Sequence, residues 1–252
     1  DPSALLAIVK CFSKVSKEAN FVFCPESMKV TVTGDSRDSL HVFSYFTMSS
    51  LFHGVTVESK ANNQVGMYMH LQSLEMALKS TLSSPSPPKI RLTKKDNAVF
   101  LEVQSGNSSV SGAGSATSIT QDVPVRLLSV SNMAELEEPQ PTPPDVFIFI
   151  PQLHILRSML ERLKKLGPIL TIGACNAGKL VLKTDSTLAT VRLDISDLQQ
   201  PRYGEAHQGL DRDHFLEADV DIATFAKILC ADPVKPESIV LCIFNEPYPT
   251  IQ

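Results

Sequence analysis

A seven-residue segment in the second half of the chain carries most residues of a phosphate-binding loop. It reads Gly173-Ala-Cys-Asn-Ala-Gly178-Lys179, and in nucleotide-binding proteins such a loop cradles phosphate oxygens with its backbone N–H groups and its lysine. The next residue is Leu180, where magnesium binding needs serine or threonine, and Val181 continues a strand pattern instead of opening a helix. The segment therefore predicts a hairpin turn at residues 176–178 and no nucleotide site.

A polar segment at residues 201–214 holds side chains that could bind a metal ion or assist hydrolysis. His207, Asp211, Asp213 and His214 offer the nitrogen and oxygen atoms that zinc-type sites use. A polar surface loop explains the same residues, because no recognised ligand spacing or nucleophile motif accompanies them. The chain is therefore predicted not to be an enzyme and to need no metal or cofactor. A metal-dependent enzyme that uses the 201–214 segment remains the alternative of another class.

Composition is that of an ordinary globular chain. Hydrophobic residues make up 43% of the 252 residues, and no apolar run approaches the roughly 20 residues of a membrane helix, so no membrane partner is predicted. The five cysteines are odd in number and contain no CxxC pair. They indicate free thiols in a reducing compartment.

The hydrophobic pattern of the first half returns about 151 residues later. Helix-like and strand-like segments keep their own periods, 3.6 and two, at the matched positions. A shared pattern at one offset across several elements indicates two copies of one domain. The matched positions include Leu5/Leu156, Ile8/Met159, Val9/Leu160, Phe12/Leu163, Leu71/Ile222, Leu74/Phe225, Leu78/Leu229, Ile90/Leu241 and Leu92/Ile243.

The periodicities predict an α+β fold of two tandem similar domains, each with two helices on antiparallel sheet. The predicted helices are 3–18, 71–82, 153–166 and 221–231. The predicted strands are 20–24, 28–33, 40–46, 53–58, 64–70, 89–93, 97–104 and 118–128, then 145–150, 169–175, 179–184, 187–195, 214–220 and 238–244.

Domain bounds follow from the repeat and from a change of composition. Residues 1–131 are predicted to form the first domain, 132–144 an acidic proline-rich linker, and 145–252 the second domain. The strand at 145–150 has its twin before Asp1, and the twin of the strand after residue 97 lies near or past Gln252. The first domain is therefore expected to lack its opening strand and the second its closing strand.

Positive charge is concentrated in the predicted helices. Net charge is −4, but the four helices total +5 and all other residues −9. In a helix over 3–18, Lys10, Lys14 and Lys17 would lie within about 60° of one another, opposite the apolar stripe. Exposed helix faces are commonly charged, which is the simpler explanation for any one lysine. The distribution as a whole favours a surface that binds phosphates without base preference and in a salt-sensitive way.

Several segments carry a resemblance to a known family. They are Thr120–Leu127 (TQDVPVRL), Pro144–Leu153, the basic helix Leu153–Leu166 and Lys89–Thr93. With the repeat and the linker, the whole chain resembles a DNA sliding clamp of the PCNA superfamily. It is most similar to the Hus-type subunits of the heterotrimeric nine-one-one checkpoint clamp. A homotrimeric replicative processivity clamp is the alternative, and the DVPV segment and the long linker favour the checkpoint subunit.

The resemblance implies a ring of three different subunits whose helices face duplex DNA. It also implies an ATP-dependent clamp loader, docking of checkpoint and repair proteins, and a location in the nucleus. An interaction scaffold without DNA contact is a third possibility if the lysine face is buried against another subunit. The residues expected to face DNA are Lys10, Lys14, Lys17, Lys79, Arg157, Arg162, Lys164, Lys165 and Lys227.

The resemblance also implies where subunits and partner proteins attach. Two edge strands, Val123–Leu128 and Leu188–Ile195, are expected to pair across subunits. The interface residues expected on them are Val123, Val125, Leu127, Leu188, Val191 and Leu193. A groove on the outer surface near Leu40, His41 and Leu136 is expected to bind partner peptides.

Overall fold

The chain divides into two units, Asp1–Glu138 and Pro139–Gln252. The computed structural model describes residues 2–34, 40–82, 84, 86–106, 118–139, 143–150, 153–187, 189–201, 211–229 and 236–245. Among these residues, no helix has the length and apolar character that crossing a membrane requires.

The first unit is built on one seven-stranded sheet, in the order β3-β2-β1-β4-β7-β6-β5, with every neighbouring pair antiparallel. Two long helices supply the apolar side chains that close the core, among them Val9 and Leu78. The elements are α1 (Pro2–Phe12), β1 (Glu18–Phe23), β2 (Ser27–Thr33), β3 (His41–Thr47), α2 (Met48–Leu51), β4 (Val65–His70), α3 (Leu71–Thr81), β5 (Lys89–Lys95), β6 (Ala98–Gly106), β7 (Ser118–Leu127) and α4 (Val130–Ala134).

The second unit has a four-stranded sheet, in the order β11-β10-β9-β12, and a separate pair, β13-β8, all antiparallel. Leu156 and Leu160 of its first helix are fully buried against the sheet residues Leu170 and Leu182. The elements are β8 (Val146–Phe149), α5 (Leu153–Leu163), β9 (Ile169–Cys175), β10 (Lys179–Asp185), β11 (Thr190–Ile195), β12 (Leu216–Asp221), α6 (Ile222–Ile228) and β13 (Val240–Ile243).

Backbone pairing confirms the internal repeat at an offset of 151. Helix α5 begins and ends 151 residues after α1, because 153 − 2 and 163 − 12 are both 151. Glu18 pairs with His70 between β1 and β4, and the residues 151 further on, Ile169 and Asp221, pair between β9 and β12. The hydrogen bond from Leu71 N–H to Lys17 O likewise returns as Ile222 N–H to Pro168 O. The predicted α+β fold of two similar copies is therefore correct.

The predicted helix ends were too late. Helix α1 ends at Phe12 and not at residue 18, and α5 ends at Leu163 and not at residue 166. After α1, the Ser13 hydroxyl donates to Lys10 O and the Ser16 hydroxyl accepts from Glu18 N–H. Serine side chains that bond nearby backbone groups favour turns over helix. Val15 stays buried in that turn, which explains why the apolar period continued past the true end.

One predicted strand is absent and one helix was missed. Residues 53–58 form no strand; helix α2 follows β3 directly and ends at Leu51, and its Met48 N–H donates to Glu26 O. Their apolar-polar alternation has no sheet partner, and Val55 is exposed. Helix α4 was not predicted and overlaps the start of the predicted linker; its first turn is capped by the Ser129 hydroxyl, which accepts from Asn132 N–H.

The segment that resembles a phosphate-binding loop is the β9–β10 hairpin, as predicted. Its Asn176 joins three pieces of the second unit. The Asn176 amide donates to Asp145 O at 2.8 Å, and its carbonyl oxygen accepts from the Gln200 amide at 2.9 Å and from Phe147 N–H at 3.4 Å. All of the polar atoms of that side chain are therefore used in holding β8 and the segment after β11 to the hairpin.

Candidate nucleic-acid interface and assembly edges

The predicted cations of the first unit do not share one helix face. Lys10 lies in the last turn of α1 and is half-buried, whereas Lys14 and Lys17 lie exposed in the turn that follows it. The predicted alignment within about 60° assumed a longer helix, so it is wrong. Lys79 is exposed on α3, but its ammonium lies 2.8 Å from the Glu75 carboxylate.

The predicted cations of the second unit cluster more closely. Helix α5 buries Leu153, Leu156, Leu160 and Leu163, so the other side of the helix faces solvent. Arg157 and Arg162 are exposed on α5, and Lys164 and Lys165 are exposed in the turn after it. Lys227, on α6, is half-buried. A shallow recess of about 510 Å³, largely open to solvent, lies over the exposed side of α5 and is lined by His154, Arg157, Ser158, Glu161, Arg162 and Lys165.

Sequence reasoning missed two residues of that recess, His154 and Ser158. Both are exposed, and they stand eight and four residues before Arg162, respectively, a spacing that places all three on one side of a helix. That spacing was visible in the sequence. Neither residue contributes formal charge at neutral pH, so the charge pattern of the sequence does not identify them.

Strand β11 lies at the end of its sheet and carries an open backbone edge. Ser186 N–H donates to Ala189 O, and hydrogen-bonded pairs alternate with non-hydrogen-bonded pairs along an antiparallel ladder. Counting from that bond, Val191 is hydrogen-bonded to Thr184 of β10. The N–H groups of Thr190, Arg192 and Asp194 therefore point away from the sheet, toward any strand that adds to it.

The predicted interface side chains on β11 point inward. Val191 and Leu193 are half-buried and pack against the core, whereas Arg192 and Asp194 are exposed and joined by an ion pair of 2.9 Å. Leu188 lies outside the described residues. A strand that paired with β11 would therefore meet backbone groups and the Arg192–Asp194 pair before it met these apolar side chains.

Strand β7 is not the free edge that the sequence predicted. It lies between β4 and β6, and Val125 pairs with residues of both neighbours, Met69 and Val99. Val123 is 2% exposed and belongs to the core, while Leu127 is 48% exposed. The prediction fails here because β4 covers the last three residues of the strand.

One part of β7 does remain open on the β4 side, residues 118–124. Leu128 N–H donates to Gly66 O, and by alternation the backbone of Pro124, Asp122 and Thr120 faces the same side. Among the described residues, no strand pairs with them there. Pro124 has no N–H to offer, which is where proline is tolerated in a sheet. The open edge therefore offers backbone donors only before Pro124.

The segment that follows β7 is fastened across the outer face of the first sheet. The Thr31 hydroxyl donates to Leu136 O at 3.4 Å, and the Lys29 ammonium lies 3.6 Å from the Glu137 carboxylate. Met133 is buried over Gly66, where a Cβ would lie 2.6 Å from the Met133 sulfur. These contacts fix residues 133–137 against β2 and β4.

The predicted partner groove lies beside this segment. Leu40 is half-buried against the core and His41 is exposed at the start of β3, the strand next to β2. The His41 ring stacks on Phe43 with centroids 6.2 Å apart. Leu136 lies over β2 through its bond to Thr31. The three residues therefore lie on neighbouring parts of the first unit, and peptide binding by them stays a prediction.

Replacing Gly66 by valine is expected to detach the segment that follows β7. The new side chain would take the space of the Met133 side chain and would crowd Leu128, whose Cβ lies 3.0 Å from the Cβ position. Overpacking of this kind costs about 1–3 kcal/mol. We expect a lower free energy of unfolding and faster cleavage after Glu135 and Glu137 by a glutamate-specific protease.

Gly54→Val is the matched control for that substitution. No atom lies within 4 Å of the Cβ position at Gly54, so the stability and the cleavage rate should stay close to those of the unchanged chain. If the protease cleaved after Glu135 at the same rate in the Gly66→Val variant and in the unchanged chain, Met133 would not be what holds the segment in place.

A cluster of charges lies on the outer face of β5, β6 and β7. The Glu102 side chain is 5% exposed and accepts from Arg91 at 2.6 Å and from Lys95 at 3.2 Å. Lys95 also contacts Asp122 at 2.7 Å. Burial alone would raise the pKa of Glu102, but the hydrogen bonds from Lys95 and Arg91 hold it below its ordinary value. The carboxylates of Glu102 on β6 and Asp122 on β7, which are paired residues of neighbouring strands, are thus both bound by the Lys95 ammonium group.

This cluster predicts that the free energy of unfolding of the chain falls in acid. Because the folded-state pKa of Glu102 is lowered, its stabilisation is present above the unfolded-state pKa of about 4.3 and is lost as pH falls through the folded-state pKa. We expect Glu102→Gln to lower the free energy of urea unfolding at neutral pH and to have less effect in strong acid. Glu58→Gln, at an exposed position, is the control. A loss of stability by Glu102→Gln that is independent of pH would contradict the assignment.

The alternative metal site gains no support from the described part of the 201–214 segment. The Asp213 carboxylate contacts the Lys179 ammonium at 3.0 Å, and His214 N–H donates to Asp211 O. Within the described ranges, no three His, Cys, Asp or Glu side chains are grouped as metal ligands. His207 lies outside those ranges. The cysteines that the structure describes, Cys11, Cys24, Cys175 and Cys242, are free thiols, and burial raises the pKa of Cys242.

Two tandem α+β units of this topology, with antiparallel sheets and few helices, define the PCNA-like sliding-clamp class. The family model described as Hus1-like protein matches residues 1–250, so the chain belongs to the Hus1-like family. It is a checkpoint clamp subunit of the nine-one-one type.

Three curated relatives carry the name of this family. The checkpoint protein hus1 homolog of Dictyostelium discoideum is 29% identical over 252 residues, which are 96% of this chain and 88% of that protein. Checkpoint protein hus1 of Schizosaccharomyces pombe is 28% identical over 78% of this chain and 67% of its own length. Checkpoint protein HUS1 of Homo sapiens is 27% identical over 93% and 81%.

Proposed function

We propose that this chain joins two different clamp subunits in a ring around duplex DNA and serves the DNA damage checkpoint and DNA repair in the nucleus. The ring is opened on DNA by an ATP-dependent loader, and checkpoint and repair proteins dock on it. The chain itself acts as a non-catalytic scaffold, in keeping with the Hus1 checkpoint clamp family.

The observation that carries the DNA part of the proposal is the exposed basic side of α5. Arg157 and Arg162 are exposed on α5, whose leucines are buried, and the exposed Lys164 and Lys165 follow the helix directly. Because the core requires those leucines to face inward, the two arginines are held in solvent on a rigid helix, and the two lysines extend the basic surface into the turn after it. Among the described residues, Arg162, Lys164 and Lys165 have no acidic group within 4 Å. Cations of this kind suit phosphate contact, which positions a duplex without reading its sequence.

The assembly part of the proposal is supported by the open backbone edges. β11 offers the N–H groups of residues 190, 192 and 194, and β7 offers backbone groups over residues 118–124. Edges of this kind need a partner or protection, because unpaired strands promote uncontrolled association. If each edge paired with a strand of a neighbouring subunit, the unpaired backbone groups of β7 and β11 would be hydrogen-bonded and uncontrolled association would be prevented.

Mass in solution and duplex binding test the proposal together. Light scattering after size exclusion should give a monomer for the chain alone and a complex of three chains with two non-identical clamp subunits. That complex should bind duplex DNA of any sequence, with affinity that falls as salt rises. A stable homotrimer would instead favour a replicative processivity clamp, and a heterotrimer without affinity for duplex would leave a scaffold that makes no DNA contact.

A further inference from the structure

The exposed sides of α1 and α5 differ, although the two helices are copies of one element. The recess on α5 is lined by two guanidinium groups, an ammonium group, an imidazole, a hydroxyl and one carboxylate. The residues that stand 151 positions earlier are Ser3, Leu6, Ala7, Lys10, Cys11 and Lys14. The first unit thus has two lysines and no arginine where the second has two arginines and a lysine.

The kind of cation matters for what each helix can bind. A guanidinium group is planar and donates two parallel hydrogen bonds to two oxygens of one phosphate, whereas an ammonium group acts as a point charge. Arg157 and Arg162 flank the recess, and Ser158 and His154 add neutral hydrogen-bonding groups between and before them. Such a set can hold one phosphodiester group in a defined orientation.

The first unit lacks these features at the matching places. Leu6, at the position of Arg157, is 4% exposed and packs in the core. Lys10 is half-buried, and the Lys79 ammonium on α3 is engaged by Glu75 at 2.8 Å. The first unit therefore supplies positive potential but no fork-shaped donor at this element.

We propose that the two units divide the contact with DNA: the recess on α5 holds a backbone phosphodiester through Arg157 and Arg162, and α1 contributes only a diffuse positive field. This inference rests on the proposed function, since it names the part of the chain that holds the duplex. Glu161, which also lines the recess, opposes the bound phosphate. It limits the strength of the contact, so a clamp that holds there can still slide.

Charge-conserving substitutions distinguish a site that holds one phosphodiester group in a defined orientation from a surface that only contributes positive potential. In the assembled clamp with its two partner subunits, Arg157→Lys with Arg162→Lys should weaken binding of a fluorescent duplex about tenfold, because both forks are lost. The slope of log affinity against log salt should stay unchanged, because the number of charges is unchanged. Lys10→Arg with Lys14→Arg is the matched control and should change affinity less than about twofold.

Removing charge gives the second arm. Arg157→Ser with Arg162→Ser should reduce the salt slope by about one unit, since the two side chains hold one phosphodiester and each phosphate contact contributes about 0.9, whereas Lys10→Ser with Lys14→Ser should reduce it by clearly less than that. Glu161→Gln should tighten binding. Circular dichroism of each variant checks that helix content is kept.

The outcomes distinguish this inference from the proposed function. If the unchanged clamp does not bind duplex at all, both fail. If it binds and the arginine-to-lysine variant binds equally well, only the phosphodiester site in the recess on α5 is overturned. If inorganic tripolyphosphate displaces the duplex at equal concentration of phosphate, the recess is a site for small anions, and its assignment to a DNA phosphodiester is overturned.

Discussion

Proline in place of Arg192 is expected to abolish pairing of this chain with the neighbour that docks on β11, while the second unit stays folded. The Arg192 N–H points away from β10, as the alternation from the Ser186–Ala189 bond requires. Proline removes that donor and puts its ring where the partner backbone would lie, at no loss to the β10–β11 ladder. The unpaired carbonyl of the partner strand costs about 1–3 kcal/mol, roughly ten- to 100-fold in Kd, and the clash with the proline ring adds to that loss.

Two controls isolate the backbone effect. Arg192→Ala removes the ion pair with Asp194 but keeps the N–H, and should assemble nearly normally, because exposed ion pairs contribute about 0–1 kcal/mol. Val191→Pro removes a donor that points to β10, so it should destabilise the second unit itself. Light scattering with both partner subunits measures assembly, and thermal unfolding measures the fold. If the Arg192→Pro chain assembled fully with its partners, the interface would have to lie elsewhere than on β11.

Alanine in place of Gly178 is expected to have the largest effect on the stability of the second unit. Gly178 has a φ of 78°, and an added Cβ would collide with the Leu198 carbonyl. The clash is with backbone, and the Leu198 N–H also donates to Gly178 O, so neither side can move without breaking the β9–β10 turn. Strain of about 1–3 kcal/mol from the positive φ adds to the cost of displacing residue 198.

That loss should be visible in thermal unfolding. For a unit of this size each 1 kcal/mol lowers the Tm by roughly 4 °C or more, so a fall of about 10 °C is expected. Ala177→Ser, one residue earlier at an exposed position, changes the same turn without a clash and should leave the Tm nearly unchanged. An unaltered Tm for Gly178→Ala would show that Leu198 does not pack on the turn.

Periodicity predicted the paired elements well, because burial acts on every turn of a helix and every second residue of a strand. The strands 169–175 and 64–70 were found to within a residue. It failed where backbone and hydroxyl hydrogen bonds decide, as at Ser13, and where a strand pattern finds no neighbour, as at 53–58. A single segment does not show the order of strands in a sheet, so the sequence predicts an edge at β7 although β4 pairs with its last three residues.

The candidate DNA surface was predicted in outline and not in detail. Formal charge identified Arg157, Arg162, Lys164 and Lys165, all exposed in the structure. It could not show that Lys79 is engaged by Glu75 at 2.8 Å, nor that Lys14 and Lys17 leave the helix. The Lys79–Glu75 contact depends on side-chain rotamers, and the positions of Lys14 and Lys17 depend on where α1 ends; a count of charged residues contains neither.

The ladders β1–β4 and β9–β12 have the same register at an offset of 151 residues, and this has a consequence for how the two copies can diverge. Backbone hydrogen bonds between strands do not depend on which side chains the residues carry. The pairing of Glu18 with His70 is therefore reproduced by Ile169 with Asp221, a pair of entirely different chemistry. A duplicated scaffold of this kind can keep a shared ladder while each copy acquires its own surface, so that one gene product presents two specialised modules.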